Sequence, residues 1–222
     1  MNFVNAASDI RYLLERGYPQ KAVVLFVCNH YRLGEESRRL LSRTVIAKAV
    51  SEKRQSKFLP CEEIEGNNII IDGYNIIIGM ESILLKKAFL CDDGVIRDMR
   101  GVFRNFNVSK NTEHAIELIF RFLKENNPTD ICFLLDSQIS KSGVFARSLR
   151  EKMCNYGLKG NAKTSKHVDY DLKISRDVVA SSDGVIIDAA EKVVNFLSCM
   201  VAKYPNIGAG VAKISEFPGQ VA

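Results

Sequence analysis

The sequence of 222 residues contains no tryptophan, three histidines and no long apolar run. Its longest apolar stretches, such as Ala22 to Cys28, fall far short of the about 20 residues that a membrane-spanning helix needs. The first residues also lack the basic and then apolar pattern of a signal peptide. We therefore expect a protein that does not associate with membranes and resides in the cytoplasm.

Cysteine occurs at six positions, but without the spacing of a metal site or of a disulfide framework. No Cys-x-x-Cys pair and no His–Cys spacing is present, so zinc binding is not predicted. Most of these side chains are interpreted as small, buried apolar groups. They are Cys28, Cys61, Cys91, Cys132, Cys154 and Cys199.

Negative charge is scarce at the start of the chain. The net charge is +5, and the residues up to Lys57 carry 11 Lys and Arg against 5 Asp and Glu, whereas the remainder carries 20 against 21. A cationic segment beside a segment rich in carboxylates suggests a polyanionic partner that one holds and the other acts on. A solvated helix face is an equally good interpretation of the basic residues.

The chain is predicted to contain a basic helical domain at 1–57, a linker at 58–67 and an α/β domain at 68–222. A composition of 46% hydrophobic and 26% charged residues suits one well-buried domain with a smaller one. Three helices are predicted in the first domain: one capped by Ser8-Asp9 and ending at Gly17, one from Pro19 to His30, and one from Gly34 to Val50.

The most informative stretch runs from Asn67 to Ile78. An uninterrupted isoleucine run ends in Asp72-Gly73-Tyr74-Asn75, which is a turn signal, and three more isoleucines follow. A run without alternation predicts a strand buried on both faces, as in the centre of a parallel sheet. Open α/β folds bind ligands at the carboxyl edge of such a sheet, so Asp72 and Asn75 are candidate site residues.

Two further segments repeat this pattern. Ile131 to Asp136 is predicted to be a buried strand that ends in Asp136, and Asp177 to Asp183 a short strand that ends in Asp183. Asp169 and Asp171 lie at a predicted helix start nearby. Helices are predicted at Glu81–Leu90, Asn111–Glu125, Val144–Cys154 and Asp188–Lys203. The residues after Pro205 are predicted to be either loosely ordered or a short strand around Val211–Ile214.

Carboxylates that gather at one edge of a sheet repel one another unless a cation compensates them. Oxygen ligands without His or Cys favour Mg²⁺ or Mn²⁺. Such an ion activates water and neutralises charge on a scissile phosphate, so the cluster predicts phosphodiester hydrolysis. A single Asp after a strand is more often a turn or cap residue, and only the joint pattern favours a site. The predicted metal ligands are Asp72, Asp136, Asp171 and Asp183, with Asp169 as an alternative or additional catalytic acid.

Substrate contacts are predicted in two loops and in the basic domain. Small hydroxyl residues with a lysine before a helix suit phosphate binding, and a plain helix cap is at least as good an interpretation. Residues 157–166 are predicted to be a basic loop that opens onto the acids, and an ordinary solvated loop is an equally good interpretation. The residues are Ser140, Lys141, Ser142, Lys163, Lys166, Arg38, Arg39 and Arg43.

Four segments resemble the successive acidic motifs of PIN-like nucleases, especially those of the NYN type. They are Ile-Asp-Gly-Tyr-Asn at 71–75, Leu-Leu-Asp at 134–136, Val-Asp-Tyr-Asp-Leu at 168–172 and Val-Ala-Ser-Ser-Asp at 179–183. The helical N-terminal part is similar to an uncharacterised archaeal domain found fused to such domains, in residues 11–19 and 30–33.

The resemblance implies a three-layer α/β/α sandwich with a central parallel sheet, metal bound by the acids, and RNA as substrate. It implies that Asp72 is the central ligand, that Asn75 supports the first turn, and that Ser181 and Ser182 lie near the substrate. Many such nucleases place another acid on an intervening helix. Here the candidates for that acid are Glu81, Asp93, Asp98 and Glu117.

The sequence therefore favours a metal-dependent ribonuclease with a basic RNA-binding module, and a homodimer is compatible with it. A PIN-like RNA-binding protein that does not cleave, and a nucleotide-binding protein with a helical interaction module, are the alternatives.

Overall fold

The computed structural model describes residues 2–103 and 106–214, in which four helices precede an α/β domain. In these residues no helix is both long and apolar enough to cross a bilayer. The N-terminal helices are α1 (Asn2–Glu15), α2 (Gln20–His30), α3 (Glu35–Thr44) and α4 (Lys48–Lys57). The predicted helical start of the chain is confirmed.

Two helix boundaries predicted in this part were wrong. Ser8-Asp9 lies inside α1 rather than at its cap, because the buried face of that helix already begins at Phe3. The predicted third helix is two helices, since the chain is extended at Val45 and the Ile46 N–H donates to Asp92 Oδ2 at 3.2 Å. The helical spacing of apolar residues continues from α3 into α4, so this spacing could not reveal the break between the two helices.

The α/β domain is built on a six-stranded sheet in which every pairing is parallel. The strand order is β1-β8-β7-β2-β5-β6, so β2 is central and the chain continues to one side through β5 and β6 and to the other through β7 and β8. The strands are β1 (Phe58–Leu59), β2 (Asn68–Asp72), β5 (Asp130–Asp136), β6 (Gly160–Ser165), β7 (Val178–Ala180) and β8 (Val193–Val194). The predicted α/β class with a central parallel sheet is confirmed.

Helices cover both faces of this sheet and make three layers. One face, which includes Ile69, Ile71 and Phe133, packs on the larger core, whereas Ile70 and Leu134 belong to a second cluster with residues of α8 and α9. The helices are α5 (Gly73–Leu84), α6 (Lys110–Asn126), α7 (Ser142–Tyr156), α8 (Val168–Lys173), α9 (Gly184–Ala189), α10 (Phe196–Lys203) and α11 (Pro205–Gly208).

A small second sheet combines two strands between α5 and α6 with one from the end of the described chain. In it β3 (Ala88–Leu90) pairs antiparallel with β4 (Ile96–Asp98) and parallel with β9 (Val211–Ala212). The helix predicted at Glu81–Leu90 is therefore wrong in its bounds, since α5 ends at Leu84 and the chain then enters β3.

Helix α5 begins at Gly73, directly after β2, where the sequence predicted a turn and a resumed isoleucine run. The helix is buried on almost every side, so its apolar residues show no one-sided pattern. Gly73 is required at its start, because a Cβ there would lie 2.6 Å from Leu135 Cδ2 and 3.0 Å from the Leu134 carbonyl oxygen.

Three other predictions from the sequence were wrong. The basic loop predicted at 157–166 contains β6, an edge strand that pairs with β5 in parallel. The final helix predicted at Asp188–Lys203 is divided into α9, β8 and α10. Cys61, in a short 3-10 helix (Cys61–Ile64), is joined by a disulfide to Cys199 of α10, a pair 138 residues apart that no local spacing indicates.

The N-terminal helices pack directly on the α/β domain. Their core cluster includes Phe89 of β3 and Ile214 from the end of the described chain. Arg11 of α1 forms a bidentate pair with Asp92, with N–O distances of 2.8 and 2.7 Å. The two parts of the chain therefore share a core and an ionic contact.

A buried ionic cluster around Asp93 completes this contact. The Asp93 carboxylate has no solvent exposure and pairs with Arg54 of α4 at 2.8 Å and with Arg97 of β4 at 2.7 Å. Burial alone would raise the pKa of Asp93, but the hydrogen bonds and charge of Arg97, together with Arg54, lower it. Arg54 also forms a bidentate pair with Asp188 of α9.

We expect Asp93→Ala to destabilise the fold by about 3–5 kcal/mol, because the substitution leaves two partly buried guanidinium groups without their shared carboxylate. Chemical unfolding followed by circular dichroism measures this. Glu52→Ala is the control, because its exposed pair with Lys48 should contribute about 0.5 kcal/mol or less. Equal losses of stability in both variants would contradict this role of the buried cluster.

Candidate functional site

The polar residues of the predicted site lie at the carboxyl edge of the parallel sheet. Asp72 ends β2 and is in register with Leu134, two residues before Asp136 at the end of β5. On the other side of β2, Ile71 is in register with Ala180, so Ser181 follows β7 beside Asp72. The chain diverges to the two sides of the sheet here, which is where open α/β folds form a crevice.

Asp72 is buried and lies among other carboxylates. Ser181 Oγ donates a hydrogen bond of 2.8 Å to Asp72 Oδ2. The pKa of Asp72 is raised to about 7, chiefly by burial; the hydrogen bond from Ser181 opposes this rise, and the charges of Asp183 and Asp169 add to it. Three carboxylates therefore interact electrostatically at this edge, and one of them retains its proton up to near neutral pH.

The loop after β7 is held against α5 by hydrogen bonds. Asn75 Oδ1 accepts from the Ser182 N–H at 2.8 Å, and Ser181 Oγ accepts from the Asp183 N–H at 3.1 Å. Arg97 Nε donates to the Ser182 carbonyl at 2.9 Å. Asp183 caps α9 by accepting from the Val185 N–H at 2.7 Å. The predicted residues Asn75, Ser181, Ser182 and Asp183 thus form one structural unit.

The remaining predicted acids lie on the β5–β6 side of Asp72. Asp136 is half-buried and accepts from the Gln138 N–H at 2.7 Å, while its charge contributes to raising the pKa of Tyr74 to about 12, after the larger effect of burial. Asp171 on α8 accepts from Ser165 Oγ at 2.5 Å. Asp169, on the same helix, is exposed and interacts with Asp72.

Most of the acids that were candidates for an additional ligand are committed to internal contacts. Glu81 accepts from Arg100 and Thr112, each at 2.7 Å. Asp98 accepts from Ser82 at 2.5 Å and from Arg100 at 3.1 Å, and Asp93 belongs to the buried cluster described above. Glu117 is exposed on α6. No described contact joins Glu81, Asp93 or Asp98 to the acids at the carboxyl edge of the sheet.

The donor atoms of the site suit a divalent cation, but the positions of its side chains do not yet form a complete coordination site. Repelling carboxylates that include a buried one, with serine and asparagine oxygens beside them, are hard ligands of the kind that Mg²⁺ and Mn²⁺ prefer. Within residues 2–103 and 106–214, however, no three His, Cys, Asp or Glu side chains converge as a group that could hold a metal. The donors fit, and coordination by three carboxylates would require side-chain movement.

The predicted substrate-binding residues fall into separate places. Ser140 and Lys141 are exposed before α7, whereas Ser142 is buried. Lys163 is on the edge strand β6, and Lys166 lies beside Asp136 and Asp169.

The three arginines of the helical part also differ in their surroundings. Arg38 donates to Asn29 at 3.0 Å within the helical part, and Arg39 lies near Gly101. Arg43 is exposed and donates to the Asp98 carbonyl at 3.2 Å, so it alone of the three lies in the cleft described below.

Three residues of the site region were missed from the sequence. His167 and Lys173 line a concave surface with Asp136, Asp169 and Lys166. Arg97 holds the Ser182 carbonyl. His167 and Lys173 flank the predicted acidic motif and could have been found there, whereas Arg97 is 85 residues from its partner and has no local signal.

We expect Asp72→Asn to raise stability above pH 7 and to leave it unchanged below about pH 4. The folded-state pKa of Asp72 is raised to about 7, so the native protein holds a proton that the unfolded chain releases, and stability falls as pH rises from about 4 to 7. The expected gain of the variant at pH 8 is on the order of 3 kcal/mol.

Urea unfolding at pH 4, 6 and 8 in EDTA measures this difference. Asp130→Asn, at the opposite end of β5, is the control and should follow the native profile. A gain at pH 8 that equals the gain at pH 4 would contradict the assigned environment of Asp72.

The fold and the site define a two-part α/β protein with an acidic crevice at the edge of a parallel sheet. Residues 61–199 match the family described as a domain of unknown function (DUF5616), and residues 2–57 match a protein family of unknown function (DUF434). The chain belongs to the DUF5616 family, with an N-terminal DUF434 region.

The chain is also similar to a protein of Methanocaldococcus jannaschii named uncharacterized protein MJ0935. The two are 36% identical over 188 residues, which is 84% of this chain and 89% of the relative. The similarity therefore includes both parts of the chain. No solved structure matches the chain.

Proposed function

We propose that the protein is a divalent-metal-dependent nuclease of the NYN-type PIN-like class that hydrolyses phosphodiester bonds in RNA. The observation that carries the proposal is the arrangement at the carboxyl edge of β2 and β7, where Asp72 and Asp183 are tied together through Ser181. Structural carboxylates normally pair with cationic side chains. Among the described contacts, Asp72 and Asp183 accept only from Ser181, from Asn75 and from the backbone of α9.

In this proposal Asp72 and Asp183 would hold Mg²⁺ or Mn²⁺, with Asp169 or Asp136 as a further ligand. A bound ion supplies an activated water and neutralises charge on the scissile phosphate. Ser181 fixes the orientation of the Asp72 carboxylate by donating to its Oδ2. Asn75 and Arg97 hold the loop between them and keep Asp183 at the crevice.

Positive charge beside the acids supports an anionic substrate. Lys166 and Lys173 line the concave surface that also contains Asp136 and Asp169. Lysine side chains on the same surface attract phosphates and offset the repulsion that a purely acidic edge would exert on RNA.

A second candidate function is RNA binding without cleavage. It is favoured by the finding that, in the described part of the chain, no three acidic or other metal-binding side chains converge as a metal-holding group. A small nucleotide as substrate is the third hypothesis, and the salt dependence of binding separates it from the other two.

We expect Asp72→Asn and Asp183→Asn each to reduce Mn²⁺-dependent RNA cleavage by at least about 10²-fold, because each substitution removes a charged metal ligand. Both variants should fold, since asparagine also caps a helix and accepts hydrogen bonds. Cleavage of a labelled RNA with and without Mn²⁺ is the measurement, and Asp130→Asn is the matched control at the far edge of the sheet. Native cleavage rates in both site variants would exclude the nuclease.

We expect the affinity for a single-stranded RNA to fall steeply between 50 and 200 mM salt, because several phosphate contacts release counterions together. Fluorescence anisotropy at four salt concentrations gives the slope. A slope corresponding to about one phosphate contact would instead favour a nucleotide-sized ligand.

A further inference from the structure

A cleft of about 620 Å³ is lined on one side by N-terminal helices and on the other by the α/β domain, beside the contacts that join these two parts. Its α/β side contains Asn75 and Ser182, with Asp183 at its end, and these residues belong to the candidate site. Its other side is formed by the helical part. The cleft therefore begins at the acidic edge and extends between the two parts of the chain.

Exposed apolar side chains from both parts line this cleft. Val50 of α4 is 38% exposed, Val185 of α9 is 61% exposed, and Phe103 is 41% exposed. Ile46 adds a half-buried apolar surface on the helical side. An aromatic ring and aliphatic groups on facing walls provide what the flat surface of an unpaired base needs for stacking.

Of the arginines that line the cleft in the described part of the chain, two are paired with carboxylates and one is not. Arg54 and Arg97 are held by Asp93, and Arg54 also by Asp188. Arg43 is exposed and donates to a backbone carbonyl, and among the described residues no carboxylate lies within salt-bridge distance of it. Its charge is therefore available to a phosphate group at the cleft.

We propose that this cleft binds one unpaired ribonucleotide of the RNA strand, next to the phosphate that reaches the acidic edge. The volume is in the range of about 300–1,000 Å³ that is typical of small-ligand sites, so a single nucleotide fits and a duplex does not. The base lies between Val50 and Val185, and Arg43 contacts its phosphate. This inference rests on the proposed action on RNA and assigns the N-terminal helices a part in selecting single-stranded substrate.

Binding is measured by fluorescence anisotropy with a labelled eight-nucleotide single-stranded RNA and with the same RNA in a duplex. The full-length protein carries Asp72→Asn throughout, so that cleavage does not interfere. Val50→Glu and Val185→Glu introduce a charge on each wall of the cleft. Leu25→Glu, at a site on α2 that is 53% exposed and outside the cleft, introduces the same charge in the same helical region. Phe103→Ala removes an aromatic ring without changing charge.

We expect Val50→Glu, Val185→Glu and Phe103→Ala each to weaken single-strand binding by about 5- to 100-fold, the effect of losing one stacked base. Leu25→Glu should change binding less than 3-fold, and the parent protein should bind the duplex more weakly than the single strand. Equal affinities in Val50→Glu and Leu25→Glu, or no measurable binding of the single strand to the parent protein, would overturn the inference.

The outcome can be separated from that of the nuclease proposal. Loss of binding in the cleft variants together with no Mn²⁺-dependent cleavage by the native protein would support the cleft and reject the nuclease. Cleavage by the native protein with an unchanged KM in Val50→Glu would support the nuclease and reject the cleft.

Discussion

The buried carboxylate of Asp93 is the contact on which the arrangement of the two parts of the chain depends. It accepts from Arg54 of the helical part and from Arg97 of the α/β domain, and Arg97 also donates to the Ser182 carbonyl. Arg54 in turn pairs with Asp188 of α9. A charge with no solvent exposure therefore fixes the helices, the loop after β7 and the helix that follows it relative to one another.

The candidate site uses this rigid frame to keep like charges close together. Asp72 ends β2, and Asp183 lies three residues after the end of β7, at the cap of α9. Ser181 Oγ donates to the Asp72 carboxylate and accepts from the Asp183 backbone N–H. Asn75 accepts from the Ser182 N–H and Arg97 donates to the Ser182 carbonyl, and without these two hydrogen bonds repulsion would favour separation of the two carboxylates. Burial is the main cause of the raised pKa of Asp72, and the charges of Asp183 and Asp169 add to it.

The strands and the acids that follow them could be predicted from the sequence, because local apolar runs identify them. Contacts between distant segments could not be predicted in this way. The apolar runs before Asp72 and Asp136 predicted buried parallel strands, and the sheet indeed brings their ends to one edge. The helical start at Gly73 was missed because tertiary burial on all sides of α5 removes the one-sided pattern that identifies a helix. Asp93 was a candidate metal ligand because its two ion-pair partners could not be identified from the sequence. Arg54 lies 39 residues before it and Arg97 lies 4 residues after it.

The nuclease proposal requires that the acidic edge binds a divalent cation between the ends of β2 and β7. The most direct measurement is anomalous diffraction from a crystal soaked in Mn²⁺ at neutral pH or above. We expect a Mn²⁺ peak in contact with Asp72 and Asp183, with Asp169 or Asp136 turned towards it. Ordered carboxylates at these positions with no peak between them at saturating Mn²⁺ would rule out a metal site at this edge.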